Sequence, residues 1–156
     1  MKTFLKVLLL TMLSCTSVPQ PGAGQQPQED TKEESQMPDK IKITVDGKTL
    51  PVVLTENAAT EALVAALRES PISYTAGDYG GFEKVGALGR SLPSDDSRIT
   101  TQAGDVILYS GNQLVLFYGS NSWSYTRIGK MEYGSLDALK SFLKAGEGDI
   151  RVTLSL

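Results

Sequence analysis

The chain contains no histidine, and only one cysteine and one tryptophan, among its 156 residues. Lack of histidine removes the usual general base near neutral pH, the commonest metal ligand and every Ser-His or Cys-His pairing. A single cysteine excludes an internal disulfide and a multi-thiolate metal site. No segment has the strand-loop-helix context of a phosphate loop, the alternating acids of a calcium loop, or a flavin motif. No cofactor or metal is therefore expected. An excess of positive charge is also missing: the formal net charge is −3, so there is no electrostatic reason to bind nucleic acid. Nor does any apolar run reach the roughly 20 residues that span a bilayer.

What is present begins at the N-terminus. Lys2 and Lys6 bracket the start of a short apolar stretch, Phe4-Leu5 and Val7-Leu8-Leu9-Leu10. Met12-Leu13-Ser14-Cys15 closes it with a small residue before the sole cysteine, with Met12 where leucine is more usual. This is the layout of a secretory signal of the lipoprotein kind. It predicts a signal segment over 1–14, lipidation at Cys15, a membrane partner through that lipid, and residence in the bacterial cell envelope. An ordinary secretory signal with an incidental cysteine is the competing reading. Removing residues 1–14 takes Lys2 and Lys6 from the 15 basic residues and none of the 18 acids, which leaves a net charge of about −5. Residues 15–40 read as a disordered tether: Pro19-Gln20-Pro21-Gly22-Ala23-Gly24-Gln25-Gln26-Pro27 has little apolar area to bury, and Glu29, Asp30, Glu33 and Glu34 repel one another. Residues 41–156 suit one domain with its own core.

Within that domain, Ile41-Lys42-Ile43-Thr44-Val45 alternates, Asp46-Gly47 turns, and Thr49 to Leu54 returns, which predicts a hairpin. Pro51 lacks an N–H, so its side of the strand is expected at an edge or bulge. Asn57 caps a helix to about Glu69, and Ser70-Pro71 ends it. Ile72 to Thr75 reads as a strand, followed by a glycine-dense stretch over 77–86 and a loop through Leu92 to Ser97. Val106 to Tyr109 and Gln113 to Tyr118 form a second hairpin, apolar on both faces, which should be covered on both sides. Asn121 to Tyr125 reads as a loop and Arg127 to Met131 as a short strand. Ser135 caps a second helix with Leu136, Leu139 and Leu143 on its apolar face, and Gly146 ends it. Ile150 to Leu154 alternates as a closing strand that pairs with the first. Strands dominate, so the expected architecture is mainly β: a closed antiparallel barrel with two helices.

Ile43-Thr44-Val45-Asp46-Gly47-Lys48, the helix after Asn57 and above all Asp78-Tyr79-Gly80-Gly81-Phe82-Glu83-Lys84-Val85-Gly86 carry a resemblance. Leu88 to Pro93, Gly104-Asp105-Val106, Leu116 to Gly119 and Arg127-Ile128-Gly129 continue it. The domain resembles the cyclophilin-like domain of bacterial proteins of unknown function. The resemblance covers nearly all of 41–156 and implies a small cyclophilin-like β-barrel with helices at its ends. It implies no activity.

Three groups of residues are candidates for a site. In Tyr79-Gly80-Gly81-Phe82-Glu83-Lys84, paired glycines allow close backbone approach and Tyr79 and Phe82 offer rings to a ligand; equally, the glycines fit a barrel corner and the rings fill the core. Arg90, Tyr118, Trp123, Tyr125 and Arg127 combine rings and guanidinium groups suited to a peptide or small anion at the barrel mouth. Trp123 is the preferred member, since burial does not require it there. Asp95-Asp96 with Glu83 form the third group, in which paired carboxylates divide acid and base roles; a solvated turn explains Asp95-Asp96 as well. The favoured reading is a non-enzymatic module on a lipid tether, binding a peptide, protein or small molecule. Peptidyl-prolyl isomerase is the alternative, although no segment matches the Phe-His-Arg stretch of true cyclophilins. An accessory domain for a redox partner is a third reading, by analogy alone.

Overall fold

The computed structural model describes residues 36–156. The expected signal segment, Cys15 and the expected tether through residue 35 lie outside the described residues. The described chain forms β1 (Lys40–Val45), β2 (Lys48–Leu54), α1 (Ala58–Glu69), β3 (Ile72–Tyr79), β4 (Glu83–Ala87), β5 (Ser97–Thr100), β6 (Asp105–Tyr109), β7 (Gln113–Phe117), β8 (Ser122–Met131), α2 (Leu136–Phe142) and β9 (Ile150–Ser155).

The β1–β2 turn is the Asp-Gly hairpin expected from sequence, with φ of 47° at Asp46 and 75° at Gly47. These are the two positive values a tight hairpin turn requires. Strands run in the order β2-β1-β9-β3-β4-β7-β6-β8, all antiparallel, and β2 pairs with β8 to close the barrel. The last strand pairs with the first, Ile43 opposite Leu154. Pro51 pairs with Lys42 of β1 and lies one residue beyond the last β2–β8 pair, Val52↔Met131, where its carbonyl accepts the Glu132 N–H at 2.8 Å and its missing N–H falls at the end of that ladder.

Helix α1 begins where Asn57 Oδ1 accepts the Thr60 N–H at 3.0 Å, the usual service of an asparagine cap. The same side chain donates from Nδ2 to the Arg127 carbonyl at 2.7 Å, which ties the helix start to β8. Leu63, Val64 and Leu67 enter the main core, together with Leu139, Phe142 and Leu143 from α2 and the turn after it. Leu136, expected on the buried face of α2, is instead exposed; this short helix turns only Leu139 and Phe142 inward.

Two corrections concern the strands. Asn121 to Tyr125, read as a loop, is largely strand: β8 runs unbroken from Ser122 to Met131. Its first half pairs with β5, Ser97↔Tyr125 to Thr100↔Ser122, and its second half with β6 and β2. β5 itself overlaps the end of the loop expected through Ser97. Both segments are short and rich in Ser and Thr, and the hydroxyl bridge Thr100–Ser122 at 2.7 Å helps to join them. A register shift between Val106 and Ile107 marks where β8 changes partner, and such irregularities bend strands.

The apolar hairpin β6–β7 explains where this extension goes. Val106, Leu108, Leu114 and Leu116 face the main core. Their alternating neighbours Ile107, Val115 and Phe117 face the other way and form a second cluster with Tyr125, against which Phe82, Val85, Ile99 and Tyr109 pack. The β5–β8 ribbon thus folds over the outside of the barrel wall as a flap. The two-faced apolar pattern in the sequence is the signature of that cover.

Candidate functional site

A cleft of about 340 Å³ lies on this outer face. Its construction starts at the β3–β4 turn. Tyr79 and Glu83 are directly opposed across the three residues Gly80–Phe82, so both side chains project from one face of the sheet. Gly80 and Gly81 have φ of 62° and 74°, conformations open to glycine without strain. A Cβ on Gly80 would lie 2.2 Å from the Phe82 ring. The Phe82 carbonyl accepts the N–H groups of Tyr118 and Gly119 at 3.0 and 2.9 Å, which locks the turn to the end of β7.

Alternation along β4 then sends Glu83 outward and Lys84 inward. Glu83 is 94% buried by its 6% residual exposure, and Val85 follows it on the same wall of the cleft. Tyr109 and Gln113 come from the β6–β7 hairpin, Asn121, Trp123 and Tyr125 from the flap. The rings form a connected series. Tyr79 meets Phe82 edge-on at 6.2 Å, Phe82 stacks on Phe117 at 6.2 Å, Phe117 meets Tyr125 edge-on at 5.8 Å, and Tyr125 meets Tyr109 edge-on at 6.0 Å. These are the preferred arrangements of quadrupolar rings. Asn121 Nδ2 donates to the Tyr125 hydroxyl at 2.9 Å, which fixes both side chains.

Glu83 is the anomaly in this wall. Its Oε2 is buried without a hydrogen-bond partner. Burial pushes its carboxyl up from 4.5 to about 7, because a charged carboxylate loses its hydration there with nothing to replace it. The other orphaned buried atom among the described residues is the Tyr74 hydroxyl, which belongs to the main core. Tyr125 is also raised, by burial first and then by the nearby Glu83 charge, against the hydrogen bond from Asn121.

Lys84 has the opposite fate. Fully buried, it pairs with Asp78 at 2.8 Å and donates to the Gly148 carbonyl. Asp78 also accepts from the Tyr118 hydroxyl at 3.0 Å and from the N–H groups of Gly146 and Gly148 at 3.0 and 2.9 Å. Burial alone raises the Asp78 carboxyl, but these donors outweigh it and hold it at about 2, below its ordinary 3.8. Tyr118 is pushed up to about 12 by burial and by Asp78. This network joins β3, β4 and β7 to the turn before β9, and sequence reasoning missed it. The only signal was a lysine in step with the inward residues of β4.

The structure therefore brings Tyr79, Glu83, Trp123 and Tyr125 together, with Phe82 packed behind them. It separates Arg90, Tyr118 and Arg127 from them. Arg90 is exposed on the connection after β4, Tyr118 is buried in the main core, and Arg127 pairs with the buried Asp105 at 2.9 Å. The expected setting at the barrel mouth is replaced by the outer wall under the flap, since the strand extension places Trp123 and Tyr125 there. Tyr79 and Trp123 are respectively 63% and 53% exposed, so neither is a core filler. Asp95 and Asp96 belong to a turn held by Thr126, whose hydroxyl accepts the Asp95 N–H at 2.9 Å and donates to Asp96 at 2.6 Å. Sequence reading missed Tyr109, Gln113 and Asn121, which become neighbours only through strand pairing. No group of three or more metal-ligating side chains occurs among the described residues.

Residues 43–155 match the cyclophilin-like family. The chain belongs to this family. Two solved structures share the fold at a TM-score of 0.57 each. One is McbB in complex with tryptophan, 16% identical, with 74% of this chain and 44% of that chain covered. The chain thus spans less than half of that protein. The other is the hypothetical protein AF2241 from Archaeoglobus fulgidus, 19% identical, with 79% of this chain and 98% of that chain covered. A search of curated proteins finds no match.

Proposed function

We propose that this cyclophilin-like domain is a binding module that receives a small molecule or a peptide side chain in the cleft under the flap. One observation carries the reading: an enclosed carboxyl with an unpartnered oxygen stands in a wall of aromatic rings, beside a cavity of about 340 Å³. Ligand pockets have this size and this mixture of apolar lining with a few placed polar groups. The structure of similar fold that holds tryptophan is consistent with a barrel of this kind accepting an aromatic small molecule. Nothing in the geometry favours the isomerase alternative, since no arginine lines the cleft.

The leader reading of residues 1–15 supports a lipid-anchored position in the bacterial envelope, with the cleft presented on a tether. No helix among the described residues is long and apolar enough to cross a membrane. Trp123 is the sole tryptophan, so intrinsic fluorescence reports directly on the cleft. A screen of aromatic small molecules and short peptides is expected to shift that emission saturably, with Tyr79→Ala weakening the response. Binding that leaves Trp123 emission and the Tyr79 variant unaffected would place the ligand elsewhere. For the anchor, incorporation of labelled palmitate is expected in the wild type and absent in Cys15→Ala.

A further inference from the structure

We propose that the ligand of this cleft is an organic cation, a primary ammonium or guanidinium group carried on an apolar or aromatic body. The inference rests on the reading of the cleft as a binding site and specifies its chemistry. The first ground is charge. Among the residues that line the cleft there is one carboxyl, Glu83, and no lysine or arginine. The nearest lysine in sequence, Lys84, faces the other side of the strand and is occupied by Asp78 and the Gly148 carbonyl. Arg127 is held by Asp105. The protein thus supplies a buried acid and withholds a counter-ion, and a bound cation would complete the pair.

The second ground is the company Glu83 keeps. Tyr79, Tyr109, Trp123 and Tyr125 surround the cavity, and the faces of such rings attract cations through their quadrupoles. An anionic ligand would meet both the ring faces and the carboxylate unfavourably. The third ground is the remaining polar atoms. Asn121 spends its Nδ2 on the Tyr125 hydroxyl, which leaves its Oδ1 as an acceptor for an N–H donor. With the unpartnered Glu83 Oε2, it gives the wall two oxygens that can accept from a ligand's N–H groups.

Binding such a cation requires Glu83 in its charged form. The titratable groups that face it are the phenols of Tyr79 on β3, Tyr109 on β6 and Tyr125 on β8, with Tyr118 close enough on the β7 end to feel its charge. None is a cation, so the charge of the bound ligand is what favours the carboxylate, and the Glu83 proton leaves to solvent.

The test uses the full chain and three probes of similar shape: phenethylamine, 2-phenylethanol and 3-phenylpropanoate, titrated by calorimetry and Trp123 fluorescence. Phenethylamine is expected to bind at least about tenfold more tightly than the alcohol, with the carboxylate weakest. Its affinity should rise about tenfold from pH 6 to pH 8 as the competent charged state of Glu83 is populated. Glu83→Gln preserves the shape of the protonated acid and should erase both the preference and the pH dependence. Equal binding of amine and alcohol, tightest binding of the carboxylate, or an amine preference that survives in Glu83→Gln would overturn the cation assignment while leaving the cleft a binding site. Silence with all three probes to millimolar concentration would overturn the assignment and the binding reading together.

Discussion

Glu83 and Lys84 are adjacent in the chain and buried on opposite faces of one strand. Lys84 is neutralised inside the barrel by Asp78 at 2.8 Å, whereas Glu83 Oε2 has no partner outside it. One peptide unit therefore separates a structural ion pair from the candidate binding group. Their consequences for stability and pH dependence are opposite in sign and separable.

For Glu83, the folded carboxyl titrates near 7 against 4.5 for the ordinary group. Between these values the native state holds a proton that the unfolded chain has released, so stability falls as pH rises through this window. Urea denaturation of the wild type from pH 4.5 to 8 should show that decline. Glu83→Gln should flatten it and be the more stable protein at pH 8. A wild-type profile already flat across the window would refute the burial argument.

Asp78 works the other way. Its folded carboxyl is held at about 2 against 3.8, so it contributes stability above pH 3.8 that is lost as pH falls toward 2. Asp78→Asn should remove this acid limb. Lys84→Met keeps volume but leaves Asp78 without its cation, and losing one partner of a buried pair costs about 3–5 kcal/mol. Chemical denaturation of Asp78→Asn from pH 2 to 5 and of Lys84→Met at pH 7 checks the claim, with Lys84→Met expected to lower the midpoint without changing the slope.

Trp123 and Arg127 should separate cleanly on substitution. Trp123 is half exposed, and Trp123→Ala should change stability by less than about 1 kcal/mol while weakening ligand binding measured by calorimetry. Arg127→Ala uncovers the buried Asp105, which keeps the Gln102 N–H at 2.9 Å and Lys130 at 3.5 Å. A loss of about 1–3 kcal/mol is expected there, with ligand affinity unchanged. Thermal melts and titrations of the two variants together give the comparison.

Gly86 should tolerate no side chain. A Cβ would stand 2.0 Å from the Thr75 carbonyl oxygen and 2.9 Å from the Tyr74 ring. The first neighbour is backbone of the adjoining strand and cannot rotate away. Gly86→Ala should therefore cost at least about 3 kcal/mol, the upper end of overpacking penalties, seen as a fall in melting temperature. Gly134→Ala, where nothing lies within 4 Å, serves as the control.

Much of the barrel was legible because its elements obey local rules. Asp46-Gly47 announces a tight turn, Asn57 and Ser135 announce helix starts, and β1 and β9 alternate. The candidate site was legible only in pieces. Tyr79 and Glu83 stood out in one group and Trp123 and Tyr125 in another, but pairing across strands, which local pattern does not encode, decides that the two groups meet. The flap was hidden because Ser97–Thr100 is short with one apolar residue, Ile99, and the Ser122-Trp123-Ser124-Tyr125 alternation is only four residues long. The opposite burial of Glu83 and Lys84 was not legible, because two successive charges are seldom both buried. The doubly apolar β6–β7 hairpin was the one advance notice that something must cover the outer wall.

Strand β8 serves two masters, with Gly129–Met131 closing the barrel against β2 and Ser122–Tyr125 holding β5 by four residue pairs. The β5 pairs lie apart from the β2–β8 pairs, so breaking them would leave the cylinder sealed. Opening of the ribbon alone would cost far less than global unfolding. A bound guest that bridges wall and ribbon would act as a clasp, slowing amide hydrogen exchange at residues 97–100 and leaving the barrel strands as they were.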